Sequence, residues 1–272
     1  VGILLDAASM AYYYRTVLAL EAELAQADYR IMISEVHNNV DHFLESYRTL
    51  LQYGVDGVIC VSHDYPGENQ RLSESFRVQP NTLLIGRPAE DVHLVDIDWA
   101  SSTEQATRYL LGRGRRQVAL LLSESGYISR FDREKGFKRA LQQYPEAQTH
   151  SRIFMLPPMG TRGDIRELMR FVLDQLLPDI DAIMMESDVL ALHLMSELHR
   201  RGIRVPEDIA VIGHNNDEFA GGTYPPLASI DECGELQAAA AVRILLGQIR
   251  NQFVTPQKEV IVPKLVWRES AG

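Results

Sequence analysis

The chain is short of the residues that staple, anchor or hold phosphate. Only two of its 272 residues are cysteine, Cys60 and Cys233. Two are too few for a disulfide framework or a Cys-rich zinc site, so the expectation is two small core residues in a reduced cytoplasm. Apolar runs are brief: Val118 to Leu122 is among the longest, and a bilayer span needs about 20 residues. The opening stretch, Val1-Gly-Ile-Leu-Leu-Asp6, lacks a charged start, a long apolar segment, a small-residue cleavage site and an initiator Met. A strand beginning at residue 1 without these is expected of a fragment or trimmed product rather than of a signal peptide. Basic residues are also scarce, 27 Lys and Arg against 37 Asp and Glu, for a net charge of −10. A surface that acidic repels phosphates, so a DNA-contacting part, if there is one, lies outside these residues.

What is present is ordinary globular material, 46% hydrophobic and 24% charged, enough for one large α/β domain or two lobes. Short apolar runs read as buried parallel strands: Ile3 to Leu5, Ile31 to Ile33, Val58 to Val61, Leu83 to Ile85, Val118 to Leu122, Ile183 to Met185 and Ile209 to Ile212. Helical stripes lie between them, among them Val17, Leu20 and Leu24; Ile165, Leu168, Met169, Val172 and Leu176; and Ala191, Met195 and Leu198. Gly114 and Gly202 follow basic or polar last turns, as helix ends favour. Strands alternating with helices imply parallel sheets covered on both faces, and seven or more such units exceed one comfortable sheet. Two α/β lobes are therefore expected.

Catalytic motifs are missing. No Walker loop occurs; Gly112-Arg-Gly114 follows a helix rather than a strand, and Ser123-Glu-Ser125-Gly126 lacks the leading glycine of a nucleophile elbow. His193 and His199, six residues apart, fall on different helix faces, which argues against shared metal ligation. No cofactor is implied.

Three stretches carry a resemblance. The first is His199-Arg-Arg-Gly-Ile-Arg-Val-Pro-Glu-Asp-Ile-Ala-Val-Ile-Gly213. The second is Gly112-Arg-Gly114-Arg-Arg-Gln-Val-Ala-Leu-Leu122, followed by Arg133-Glu-Lys-Gly136-Phe-Lys-Arg-Ala-Leu141. The third is Pro225-Pro-Leu-Ala-Ser-Ile230 with Leu265-Val-Trp-Arg-Glu-Ser270. Together they resemble the effector-binding domain of the lactose-repressor (LacI/GalR) family of transcriptional regulators, along the whole chain. That family shares its fold with periplasmic sugar-binding proteins, but the Val-Pro-Glu-Asp and Arg-Glu-Ser stretches favour regulators.

The resemblance implies an α/β fold of the periplasmic binding protein type I kind: two similar doubly wound parallel-sheet lobes joined by three crossover segments. Mapped here, the N-terminal lobe is 1–115 plus 229–252 and the C-terminal lobe is 116–228 plus 253–272, with the helix-turn-helix DNA-binding headpiece absent from this chain. A small effector, a sugar or sugar derivative, is expected between the lobes at the strand C-terminal ends. The implied effector-binding residues are Tyr12, Tyr13, Ser62, Arg87, Arg133, Ser187, Asn215 and Glu232. Tyrosine rings offer flat faces with hydroxyls, and a guanidinium holds two adjacent oxygens. Asn215 stands where the family usually has aspartate, Ser187 where it has asparagine, and Met10 and Gly86 also depart from the usual sugar-coordinating residues. A ligand with more apolar character, or a modified or linked sugar, is expected.

The implied mechanism is a ligand-biased hinge in a cytoplasmic homodimer, setting operator affinity through the missing headpieces. Alternatives are a periplasmic-type receptor of a transport system, an enzyme on the same fold, and a dimer scaffold with a vestigial pocket.

Overall fold

The computed structural model describes residues 1–6, 10–36, 39–61, 68–77, 81–86, 91–123, 128–156 and 164–272. In chain order the elements are β1 (Gly2–Asp6), α1 (Met10–Gln26), β2 (Met32–Val36), α2 (Val40–Gln52), β3 (Val58–Val61), α3 (Asn69–Arg77), β4 (Thr82–Ile85), β5 (His93–Ile97), α4 (Trp99–Gly112), β6 (Val118–Ser123), α5 (Ile128–Leu141), α6 (Pro145–Gln148), β7 (Arg152–Leu156), α7 (Ile165–Leu176), β8 (Ala182–Met185), α8 (Asp188–Arg200), β9 (Ala210–His214), β10 (Ala228–Asp231), α9 (Gly234–Ile249), β11 (Lys258–Ile261) and β12 (Lys264–Val266).

They form two compact units. The first takes residues 1–97, 126–128 and 233–261, and the second 98–125, 129–232 and 262–272. The first unit holds a six-stranded sheet in the order β11-β5-β4-β3-β1-β2, parallel throughout. Because side chains alternate along a strand, its two faces take different partners. Ile3, Leu5, Ile59 and Val61 meet Leu20 and Leu24 of α1 and Ala241 and Leu245 of α9. Leu4, Val58 and Cys60 meet Phe43 and Tyr47 of α2 and Phe76 of α3. Each such buried side chain contributes about 1.5–3 kcal/mol.

The second unit repeats the plan with the order β12-β10-β9-β8-β6-β7; only β12, paired to β10, runs antiparallel. Ala119, Leu121, Ile183 and Val211 pack on α7 and α8, and Val118, Leu120, Leu122, Met184 and Ile212 on α4 and α5. Gly114 and Gly202, just past α4 and α8, take positive φ, +92° and +71°. The C-terminal segment is tied beneath the sheet: Ser270 Oγ donates to Val211 O and accepts from Ala228 N–H.

The doubly wound sheets match the expected class. The chain changes between the compact units at 97/98, 125/126, 128/129, 232/233 and 261/262, where the sequence mapping had 115/116, 228/229 and 252/253. A segment belongs with the sheet it bonds to or packs on, whatever turn residues flank it. Leu110 and Leu111 of α4 bury against β6 and β8, β10 pairs with β9, and β11 pairs with β5. β2 is also not the buried strand expected at Ile31 to Ile33. It is an edge strand on which Met32 and Ile33 are exposed. Both cysteines are buried and neither is in a disulfide. Among the described residues no helix is long and apolar enough to cross a membrane.

Candidate functional site

The C-terminal ends of β6, β8, β9 and β10 in the second unit gather polar and charged side chains that an ordinary core would exclude. The cluster begins with α5. Arg133 and Gly136, three residues apart, share a helix face. A Cβ built on Gly136 would lie 2.1 Å from the Ala100 carbonyl oxygen of α4, so only glycine allows α5 and α4 this close. The approach lays the Arg133 guanidinium over the Trp99 ring, 4.6 Å from its centroid.

Arg133 Nη2 lies 3.1 Å from His214 Nε2. A guanidinium only donates, so Nε2 is the acceptor and the histidine proton sits on Nδ1. Burial first, and the Arg133 charge second, hold the His214 pKa well below its ordinary value. The approach of Glu232 Oε1 to His214 Nε2, 3.3 Å, is therefore not an ion pair. Glu232 also reaches within 4.0 Å of Arg133 Nη2. Burial pushes its carboxyl up to about 7, with Arg133 opposing and Asp231, Asp217 and Asp188 adding to the rise. Asn215 follows with φ +96°, its N–H donating to Ile230 O.

Beside this cluster Asp188, at the start of α8, accepts from Ser229 Oγ at 2.7 Å and from Asp217 N–H at 2.8 Å. Burial raises its carboxyl to about 7 as well, against those hydrogen bonds. Asn216 donates to Asp231 and accepts from Arg268, whose other amine donates to Leu227 O. The net lays carboxylates Asp188, Asp217, Asp231 and Glu232 around two guanidiniums.

Two raised carboxyls give stability a definite pH slope. The contributions of Asp188 and Glu232 are complete below their unfolded values near 4 and are lost as pH rises through about 7. His214, lowered, works the other way, but only below 6.5. Thermal melts should therefore show the second unit more stable at pH 6.5 than at pH 8, by about 1–2 kcal/mol, with Asp188→Asn flattening the slope. Greater stability at pH 8 would contradict these assignments.

Of the residues expected from sequence, Arg133, Asn215 and Glu232 come together here. Ser187 is fully buried and its Oγ caps α8 by accepting from Leu190 N–H, making its contact with that helix rather than with Arg133. The side chains of Tyr12 and Tyr13, and all of Ser62 and Arg87, lie outside the described residues. Trp99 and His214, central to the cluster, carry no sequence signal of a ligand role. Both read as core residues, and only the packing reveals them. No group of three or more His, Cys, Asp or Glu among the described residues is placed to hold a metal.

Residues 107–271 match the family model of a periplasmic binding protein-like domain. The chain is 28% identical over 270 residues to the HTH-type transcriptional regulator CelR of Thermobifida fusca, covering 95% of this chain and 76% of the relative. It is 26% identical over 278 residues to the HTH-type transcriptional repressor PurR of Yersinia enterocolitica, covering 100% and 80%. Among solved structures it is similar to the transcriptional regulator CelR in complex with cellobiose, with a TM-score of 0.82 and 25% identity, covering 99% of this chain and 84% of that one.

Proposed function

The chain belongs to the periplasmic binding protein-like domain family, in its lactose-repressor (LacI) group, and on that premise we propose that it is the effector-sensing domain of a bacterial transcription regulator. The effector is a small polar molecule, a sugar or sugar derivative. The observation that carries this reading is the Arg133–His214–Glu232 cluster at the strand ends of the second sheet, where open α/β sheets bind ligands. Tyr12, Tyr13, Ser62, Arg87, Ser187 and Asn215 remain proposed effector residues on the strength of the family pattern. The relatives CelR and PurR are named as regulators, which favours a cytoplasmic sensor over a transport receptor and over an enzyme. The net charge of −10 supports placing the contact with operator DNA in a headpiece outside these residues.

A thermal-shift screen of sugars, glycosides, sugar acids, sugar phosphates and nucleobases tests the reading. A ligand at 100 times its dissociation constant adds about 2.7 kcal/mol. A panel without a stabilising saccharide counts against the sugar class.

A homodimer is part of the same proposal. In the first unit Tyr14 and Leu18, one turn apart on α1, are 58% and 50% exposed, and edge strand β2 exposes Met32 and Ile33. Apolar edges of this kind are normally covered. Ile33→Glu is expected to convert dimer to monomer in light scattering; an unchanged dimer would move the interface elsewhere.

A further inference from the structure

Trp99 is buried, 3% exposed, yet its indole N–H has no hydrogen-bond partner among the described residues. Among the described residues it is the faces of the ring that have partners. Its face meets the Arg133 guanidinium at 4.6 Å, and its centroid lies 5.3 Å from that of the neutral His214 imidazole, the same ring that accepts from Arg133. Arg133 Nε is itself buried without a hydrogen-bond partner among the described residues. The guanidinium is thus fixed on one side by one hydrogen bond and a longer approach of Glu232, and on the other by an aromatic face.

We propose that Trp99 is the positioning residue of the effector site: its π face, not its N–H, aligns Arg133 against His214 and so sets effector affinity. This rests on the reading of Arg133 as an effector contact. Trp99 also opens α4, directly after Asp98, whose carboxylate caps the helix by accepting from Ser101 N–H at 2.9 Å. Trp99 and Glu232 each stand within two residues of a change of unit along the chain.

The chemistry makes a sharp distinction between substitutions. Trp99→Phe keeps a π face and removes a donor that has no partner among the described residues. Trp99→Leu keeps apolar bulk and removes the face. A desolvated cation–π contact corresponds to roughly a tenfold or larger change in an equilibrium. The first readout needs no ligand. The Arg133 Nε–H resonance, assigned through Arg133→Lys, should sit upfield under the indole ring current. It should stay upfield in Trp99→Phe and lose that shift in Trp99→Leu, with melts confirming that both variants fold. The second readout is calorimetric affinity for cellobiose as probe. Trp99→Leu should weaken it about tenfold and Trp99→Phe by less than about threefold. Trp99→Leu should add nothing in an Arg133→Ala background, because coupled residues are not additive.

A resonance unmoved by Trp99→Leu overturns the proposal. So do independent, additive losses from Trp99→Leu and Arg133→Ala. If Arg133→Ala leaves cellobiose affinity untouched, the effector reading beneath it fails, while the resonance still decides whether Trp99 positions Arg133.

Discussion

Arg133→Ala is expected to lower affinity for a stabilising saccharide by about 10–100-fold, the 1.5–3 kcal/mol of hydrogen bonds to a charged group, while the protein stays folded. The fold survives because the cluster can adjust its protons. Arg133 is the influence that holds the Glu232 carboxyl down. Without it Glu232 takes up a proton more readily and avoids becoming a buried unpaired charge, which would otherwise be strongly destabilising. His214 is released in the same step, since the Arg133 charge also lowers its pKa. The stability lost should therefore be smaller at pH 6.5 than at pH 8. Calorimetry gives the affinity and thermal melts at the two pH values give the stability. Unchanged affinity would remove Arg133 from the site, and equal stability losses at both pH values would contradict the proton adjustment.

Gly136→Ala should be the most damaging small substitution in the second unit. The added methyl would sit 2.1 Å from a carbonyl oxygen inside α4, and a helix carbonyl cannot swing away as a side-chain tip can. The two helices must separate, at a cost of about 2–3 kcal/mol, typical of overpacking in a close-packed interior. For a unit of this size the melting midpoint should fall by roughly 5–10 °C. Moving α5 also moves Arg133 away from Trp99 and His214, so saccharide binding should fall in the same variant. Circular dichroism melts read the first effect and calorimetry the second. A variant that melts and binds like the parent would show that the α4–α5 approach is not as tight as 2.1 Å implies.

The strands legible in the sequence were those whose residues are apolar on both faces. β3 and β4, buried at every position, announce themselves as continuous runs. β11, an edge strand with exposed Lys258 and Val260, and the short β12 are too polar and too brief to stand out. Their sheet membership comes from long-range pairing that no local pattern encodes. The helix before the Gly112-Arg-Gly114 turn packs in the second unit.

The site divides similarly. Arg133, Asn215 and Glu232 are expected from sequence because they occupy positions of a family pattern. Trp99 follows β5 as an apolar residue opening a helix, and His214 ends β9 as one more buried position. Their importance lies in meeting Arg133 across 34 and 81 residues of chain, a juxtaposition that only the packing of α4, α5 and β9 creates. The raised carboxyls of Asp188 and Glu232 are equally unreadable from sequence, because burial, the largest cause of both shifts, is a property of the fold.

The central claim is that this chain is a receptor for a small saccharide-like effector and does not turn it over. Titration calorimetry with cellobiose and the other saccharides of the screen tests it most directly. The account predicts a saturable heat for at least one of them, one site per chain, with the signal returning to baseline after every injection. Steady heat that continues between injections, the mark of turnover, or no saturable heat from any saccharide, would contradict it.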